Sequence, residues 1–277
     1  MLPGVYGFKW AAGNLIFLGI FYTVVTVVIG TVAIAICRAV RASSRGEGEA
    51  IRWEADFEDL PKAARTCRHE FTGEFKHRVC PNGFDCRECA PHARLVAAMA
   101  TPADDPARGD TVCGFSMPAD RMYHRGHTWI RQEKDGCATV GLDDFAMRLI
   151  GTPEEVDLPA VGEKVRVNGT GCRIKKGGLV IRILSPLDGE IVETGGSAKA
   201  WFYKVRPPEN GFNTKHLLRG AEIRPWITRE AERLQLALSD ARLGPSLADG
   251  GVPVGDFPAA NPGADWDALY GDLFLQP

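Results

Sequence analysis

The sequence has no excess of charge of either sign. Its 277 residues include 33 lysines and arginines against 35 aspartates and glutamates, a formal net charge of −2. Nucleic-acid-binding domains usually carry a marked basic surplus, so nucleic acid is not an expected partner. The sequence also lacks a glycine-rich phosphate-binding loop and a recognisable pairing of a nucleophile with a base. We therefore expect a protein that is not an enzyme.

Charge is absent altogether from residues 15–37, which read LIFLGIFYTVVTVVIGTVAIAIC. As a helix rising 1.5 Å per residue this run is roughly 34 Å long, enough to cross a bilayer. A cleaved signal peptide would be shorter, and no small-residue cleavage site follows the run. Arg38, Arg41 and Arg45 do follow it. The positive-inside rule then predicts a single-pass anchor in the cytoplasmic (inner) membrane, with the N-terminus outside and the body in the cytoplasm.

Four of the eight cysteines lie close together in the sequence. They are Cys67, Cys80, Cys86 and Cys89. A cytoplasmic body favours thiols or metal ligands over disulfides, and four thiolates are the set of a closed tetrahedral zinc site. His92 or His69 could replace one thiolate. An iron–sulfur cluster and four unligated cysteines are the alternatives. We predict zinc, and we expect the segment to be ordered only with metal and to have its own core.

Composition divides the chain into seven parts. The predicted order is a short N-terminal segment (1–14), the transmembrane helix (15–37), a juxtamembrane linker (38–66), the cysteine-rich segment (67–96), a second linker (97–121), a domain with C-terminal helices (122–242) and a tail (243–277). Alternating apolar runs and turn signals such as Asp135-Gly136 make the domain mainly β, while DDFAMRLIG predicts a helix that stops at Gly151. A small β-sandwich or flattened barrel with helical appendages is expected.

The tail has five aspartates and no basic residue, and we expect it to be extended or disordered when free. Its apolar residues nevertheless predict one short helix capped by Asp265. The apolar residues that fall on one face of this helix are Trp266, Leu269, Tyr270, Leu273 and Phe274. This helix either packs on the chain's own domain or docks on another subunit.

The domain resembles the glycine-cleavage H protein, a relative of lipoyl and biotinyl carrier domains, over roughly residues 122–227. The resemblance is carried by Tyr123 with His127-Thr128-Trp129, and then by VGLDDFAMRLIG, VDLPAVGEKV, LSPLDGEIVE and WFYKVRP in the same order. It implies a hybrid barrel-sandwich of the lipoyl-domain type. It also implies a hairpin whose tip lysine carries lipoate between partner enzymes.

That lysine is missing at the expected place. The family carries it seven residues before the serine of a Ser-Pro pair, and counting back from Ser185 gives Gly178. The acidic residue three positions earlier, which the attaching ligase recognises, is Lys175 here. The resemblance therefore implies a domain without lipoate, with Lys176 as the alternative attachment site. Cys172 and His127 are expected to be structural.

These features predict a membrane-anchored, non-catalytic accessory subunit of a membrane-associated complex, which we expect to be a redox complex. The tail residues Trp266, Tyr270 and Phe274 are candidate contacts to the other subunits. Two alternatives stay open. One is a true lipoyl carrier modified at Lys176, and the other is an electron-transfer subunit with an iron–sulfur cluster at the four cysteines.

Overall fold

The computed structural model describes residues 12–44, 57–98, 110–195, 201–239 and 253–275. The chain divides into two units, Met1–Ala50 and Ile51–Pro277. Arg45 and the first eleven residues lie outside the described residues.

The described part of the first unit, residues 12–44, is one helix, α1 (Ala12–Ser44). Its residues Ala12–Ile34 are long and apolar enough to cross a membrane, by a test of length and composition that a signal sequence also passes. Large apolar side chains such as Ile16 and Ile29 are exposed over 64% and 63% of their surface. The apolar helix expected from the sequence is therefore present.

The second unit is mainly β. Its strands are β1 (Thr111–Val112), β2 (Phe115–Ser116), β3 (Met122–Tyr123), β4 (Thr128–Gln132), β5 (Ala138–Leu142), β6 (Glu155–Asp157), β7 (Lys164–Val165), β8 (Thr170–Lys176), β9 (Leu179–Leu184), β10 (Gly189–Thr194) and β11 (Tyr203–Arg206). Its helices are α2 (Arg68–Phe71), α3 (Ala90–Ala98), α4 (Asp144–Ile150), α5 (Ile223–Ser239), α6 (Phe257–Ala260) and α7 (Trp266–Leu273).

The strands form two main antiparallel sheets. One has six strands in the order β3-β4-β5-β11-β10-β7, and the other has three in the order β6-β8-β9; β1 and β2 form a separate hairpin. Side chains along β8 alternate between the core and solvent: Cys172 and Ile174 are buried, while Arg173 and Lys175 point to solvent. One face of this sheet therefore covers the core. The mainly β fold predicted from the sequence is confirmed.

Helix α4 shows how local sequence sets the boundaries. The carboxylate of Asp143 accepts a hydrogen bond from the backbone N–H of Ala146 and so caps the first turn. Gly151 ends the helix with a φ of 67°, a conformation that suits glycine. The predicted helix and its stop are confirmed.

The C-terminal helices belong to the same hydrophobic core as the sheets. In one cluster Trp129, Phe145 and Trp226 pack together with the tail residues Tyr270 and Phe274. The Tyr270 hydroxyl also donates to the Leu149 carbonyl at 3.3 Å. Of the two roles left open for the tail helix, the structure shows packing on the chain's own domain.

The cysteine-rich segment also packs on this domain, so the prediction of a separate core is wrong. Cys80 and Phe84 of the segment share a buried cluster with Leu184 of β9 and Leu275 of the tail. The guanidinium of Arg125 lies 4.1 Å above the Phe84 ring of the segment and donates to the carbonyls of Thr66 and Ala64, which precede the segment. A long-range arginine contact of this kind leaves no periodic signal in a sequence.

The region expected to link the segment to the domain is partly structured. It contains the β1–β2 hairpin, in which Val112 and Phe115 are 1% exposed, and the fully buried Met117 follows. Residues 99–109 lie outside the described residues.

Candidate functional site

The tip of the β8–β9 hairpin is a two-residue turn made of Gly177 and Gly178. Lys176 pairs with Leu179 on the neighbouring strand, which leaves the two glycines as the turn itself. Their φ angles are 58° and 79°, the positive values that such tight hairpin turns require. Gly178, the residue that the count from Ser185 places at the family's lysine position, therefore lies at the tip and offers no side chain.

Both nearby lysines contact neighbouring parts of the surface. The Lys176 ammonium donates to the Thr152 carbonyl at 2.7 Å and lies 4.0 Å from a carboxylate oxygen of Asp256 in the tail. The Lys175 ammonium donates to Glu155 at 2.9 Å. Lys176 thus lies at the end of β8, beside the turn, with its amine directed back to the protein surface.

The four clustered cysteines line one small cavity of about 20 Å³. A single antiparallel bridge between Thr66 and Val79 brings Cys67 next to Cys80. Cys86 and Cys89 flank a tight turn in which the Cys89 N–H donates to the Cys86 carbonyl at 3.3 Å. Among the described residues no three His, Cys, Asp or Glu side chains are already arranged to hold a metal ion. The thiols therefore surround the cavity without converging on a point.

Burial and charge act against each other on these thiols. Burial raises the pKa of the Cys86 thiol to about 11, and the positive charge of the Arg68 guanidinium opposes this rise. Burial also raises the pKa of Cys67, whose sulfur accepts a hydrogen bond from the His69 backbone N–H. Groups that favour the thiolate are thus present beside buried sulfurs.

The two histidines considered as replacement ligands contact each other. His69 Nε2 lies 2.9 Å from His92 Nδ1. Burial of the ring lowers the pKa of His92 to about 4. Each of the two histidines therefore already has one ring nitrogen paired within the protein.

His216, which the sequence analysis did not single out, lies on the cavity wall. Its Nε2 lies 2.8 Å from the Pro186 carbonyl and so carries the proton, since a carbonyl only accepts. Its Nδ1 is buried without a hydrogen-bond partner. A histidine in front of two leucines carries no sequence signal of this role.

A second buried polar group lies in the core. His127 Nδ1 is 2.9 Å from Asp143, and neither side chain is exposed. The His127 ring is stacked between Phe145 and Trp226, with ring centroids 4.8 and 5.2 Å away. Phe274 covers its edge. This packing agrees with a structural role, and Cys172, 3% exposed, is likewise part of the core.

The hairpin and its two sheets define a domain of the carrier type. Residues 121–229 match the family model described as Glycine cleavage H-protein. The Glycine cleavage system H protein of Shewanella frigidimarina is 32% identical over 108 residues, which are 34% of this chain and 83% of that protein. The chain belongs to the glycine cleavage H-protein family through this domain.

Other relatives show how much of the chain lies outside the family. The H protein of Methylococcus capsulatus is 31% identical over 35% of this chain and 85% of its own length. That of Thiobacillus denitrificans is 29% identical and matched over 99% of its length by only 42% of this chain. A crystal structure of the H protein from Mycobacterium marinum aligns at 25% identity and a TM-score of 0.34, over 41% of this chain and 98% of that one.

Proposed function

We propose that this chain is a membrane-anchored, non-catalytic accessory subunit whose H-protein-like domain serves assembly without carrying lipoate. The observation that carries the proposal is the Gly177-Gly178 turn at the hairpin tip. A lipoyl arm needs an amine at this tip, and glycine has none. The remaining fold, with its complete pair of sheets, is still available as a binding module.

The contacts of Lys176 argue against the alternative of a working carrier. Its amine hydrogen-bonds the Thr152 carbonyl and faces Asp256. An acylated amine would lose its charge and with it the attraction to that carboxylate. A flexible arm also works best at a tip, whereas Lys176 is the last paired residue of β8.

The exposed apolar surface of α1 supports the proposal of an anchor in the cytoplasmic membrane. Apolar side chains exposed along a whole helix are favourable only where lipid or protein covers them. The arginines at positions 38, 41 and 45 support an N-terminus outside and a body in the cytoplasm. The partners in this proposal are other subunits of a membrane-associated complex, which we propose to be a redox complex.

Partner contacts through the tail fit the structure poorly. Tyr270 is 1% exposed and Phe274 is fully buried, so neither reaches a second protein without leaving the core. Trp266 is partly buried against the same cluster. Subunit contacts would instead use the outer faces of the sheets or α1.

At the four cysteines the proposal includes one metal ion, zinc in preference to an iron–sulfur cluster. A structural zinc ion would stabilise the cysteine-rich segment through its ligands. An iron–sulfur cluster at the same thiols would instead make the chain an electron-transfer subunit.

Lysine variants introduced into the chromosomal gene distinguish the accessory-subunit proposal from the carrier alternative. Lys176→Arg keeps the positive charge and removes the only amine beside the tip that lipoate could modify apart from Lys175. Together with Lys175→Arg it should support the native assembly as well as the wild-type chain does, measured by co-migration of the subunits after solubilisation in mild detergent and by growth. Loss of growth with an intact assembly would establish the carrier instead.

A further inference from the structure

The four thiols of the cysteine-rich segment face one common space. Cys67, Cys80, Cys86 and Cys89 all line this one cavity. Two tight backbone features hold them there, namely the Thr66–Val79 bridge and the turn from Cys86 to Cys89. Each of the two local structures therefore presents two thiols to one shared space.

The size of that space distinguishes a single ion from a cluster. A volume of about 20 Å³ has room for roughly one water-sized body. An iron–sulfur cluster adds several irons and sulfides between the same four thiolates and needs much more room. The unpaired Nδ1 of His216 on the wall marks the space as one suited to a polar occupant, because a buried lone pair without a partner is costly.

The positive charge around the cavity fits an anionic metal–thiolate centre. Four thiolates around a divalent cation carry a net charge of −2. Two buried guanidinium groups line the same cavity as the four sulfurs, those of Arg68 (6% exposed) and Arg125 (3% exposed). Buried cations are stable only when anions offset them.

The carboxylate near Arg125 is shared with a second arginine. Glu230 lies 3.8 Å from Arg125 but only 2.5 Å from Arg233. Arg125 is therefore left with a distant, shared counter-ion, while its guanidinium also packs on the rings of Phe71 and Phe84. A metal tetrathiolate at the cavity supplies the missing negative charge.

We propose that Cys67, Cys80, Cys86 and Cys89 close around one tetrahedral metal ion in this cavity, and that Arg68 and Arg125 offset the net negative charge of the resulting metal–thiolate centre. The two arginines connect the centre to the H-protein-like domain, because Arg68 also binds Glu222 and the Leu217 carbonyl. The ion is thus a clamp between the cysteine-rich segment and the domain. This inference rests on the proposed function only for the presence of a metal at these cysteines.

Cobalt(II) titrated into the metal-free full chain in detergent tests the centre. A tetrathiolate site gives intense visible and near-ultraviolet cobalt bands, and competition with a chromophoric chelator gives the affinity. We expect one cobalt per chain in the wild type. In Arg68→Met and Arg125→Met we expect the same bands with affinity lowered about 10- to 100-fold, as for groups that support metal ligands. Arg131→Met removes an arginine paired with Glu133 on the surface and should leave affinity unchanged.

Three results would overturn the proposal. They are wild-type protein without cobalt bands, acid-labile sulfide in the protein as isolated, and unchanged affinity in both arginine variants. If a methionine variant does not fold, hydrogen exchange of the wild type decides the question. Chelation of the ion should then increase exchange both in residues 57–98 and in residues 215–222, where Arg68 binds. If hydrogen exchange in residues 215–222 is the same with and without the ion, the proposal that the ion connects the segment to the domain is refuted. None of these readouts depends on lipoate or on partner subunits, so a failure here is distinguishable from a failure of the accessory-subunit proposal.

Discussion

At the β8–β9 tip, Gly177 and Gly178 adopt positive φ values in which a residue with a side chain is strained. A Cβ added to Gly178 would nevertheless meet no atom within 4 Å. The space for an arm is therefore open, while the backbone favours glycine by about 1–2 kcal/mol per left-handed residue. The count of seven residues back from Ser185 was enough to place Gly178 at the tip, because strand register allows no one-residue slip.

Other residues of the site could not be predicted in this way. Arg68, Arg125 and His216 lie in different parts of the sequence and meet only in the folded chain. Buried arginines satisfied by backbone carbonyls have no spacing rule, unlike cysteines that flank a turn. The thiols were therefore predictable, and the groups that surround them were not.

His124 makes stability depend on pH. Its neutral ring is satisfied on both sides, since Nδ1 accepts from the Gly126 N–H and Nε2 donates to Asn168. Burial lowers the pKa of His124 to about 3, from 6.5 for an ordinary histidine. Its contribution is complete above pH 6.5 and is lost as the pH falls toward 3, by about 1.4 kcal/mol per pH unit.

The comparison of wild type with His124→Gln isolates this effect. Between pH 7.5 and 5.0 the free energy of unfolding of the wild type should fall by about 2 kcal/mol more than that of the variant, measured by urea unfolding in detergent. Loss of metal at low pH affects both proteins and cancels in the difference. Parallel pH profiles would show that His124 is not buried in its neutral form.

At the scale of elements, the sequence signals for a hairpin and for a helix predicted the observed elements. Asp135-Gly136 lies between β4 and β5, and Asp143 and Gly151 bound α4. Each depends on neighbouring residues and therefore can be recognised in a sequence. The β1–β2 hairpin was missed because two strands of two residues are too short to show alternation.

The tail helix α7 should behave as part of the core. Phe274 is fully buried and contacts His127. Phe274→Ala should lower the free energy of unfolding by about 3–5 kcal/mol, as for other buried aromatic residues, measured by thermal unfolding. Val161→Ala, at a side chain 64% exposed, serves as the control and should change it by less than about 0.5 kcal/mol. A loss below about 1 kcal/mol for Phe274→Ala would restore the alternative of docking on a partner.

At the scale of the whole molecule, the H-protein-like domain has additional segments before and after it in the sequence. The family model covers residues 121–229, whereas the buried cluster at the cysteines combines residues 60–84 with Leu184 and Leu275. The domain thus has part of its surface covered by segments on both sides of it in the sequence. Composition suggested separate parts here because it does not report contacts between distant segments.

Orientation in the membrane can be tested with a native cysteine. Cys113 is exposed in the β1–β2 turn and lies in the body of the chain. Because arginines follow the apolar run, an impermeant maleimide should leave Cys113 unlabelled in intact spheroplasts and label it after permeabilisation. Cys113→Ser identifies the signal of this residue. Labelling in intact spheroplasts would reverse the orientation.

The most direct test of the central claim is the intact mass of the full chain purified from its native host. The account predicts the mass of the unmodified polypeptide, because Gly178 offers no amine and the Lys176 amine is bound at the surface. A Gly178→Lys variant from the same host is the matched control, since it shows whether the ligase can modify this hairpin at all. A wild-type mass raised by one lipoyl group, located to the peptide containing Lys175 and Lys176, would contradict the account and make the protein a carrier.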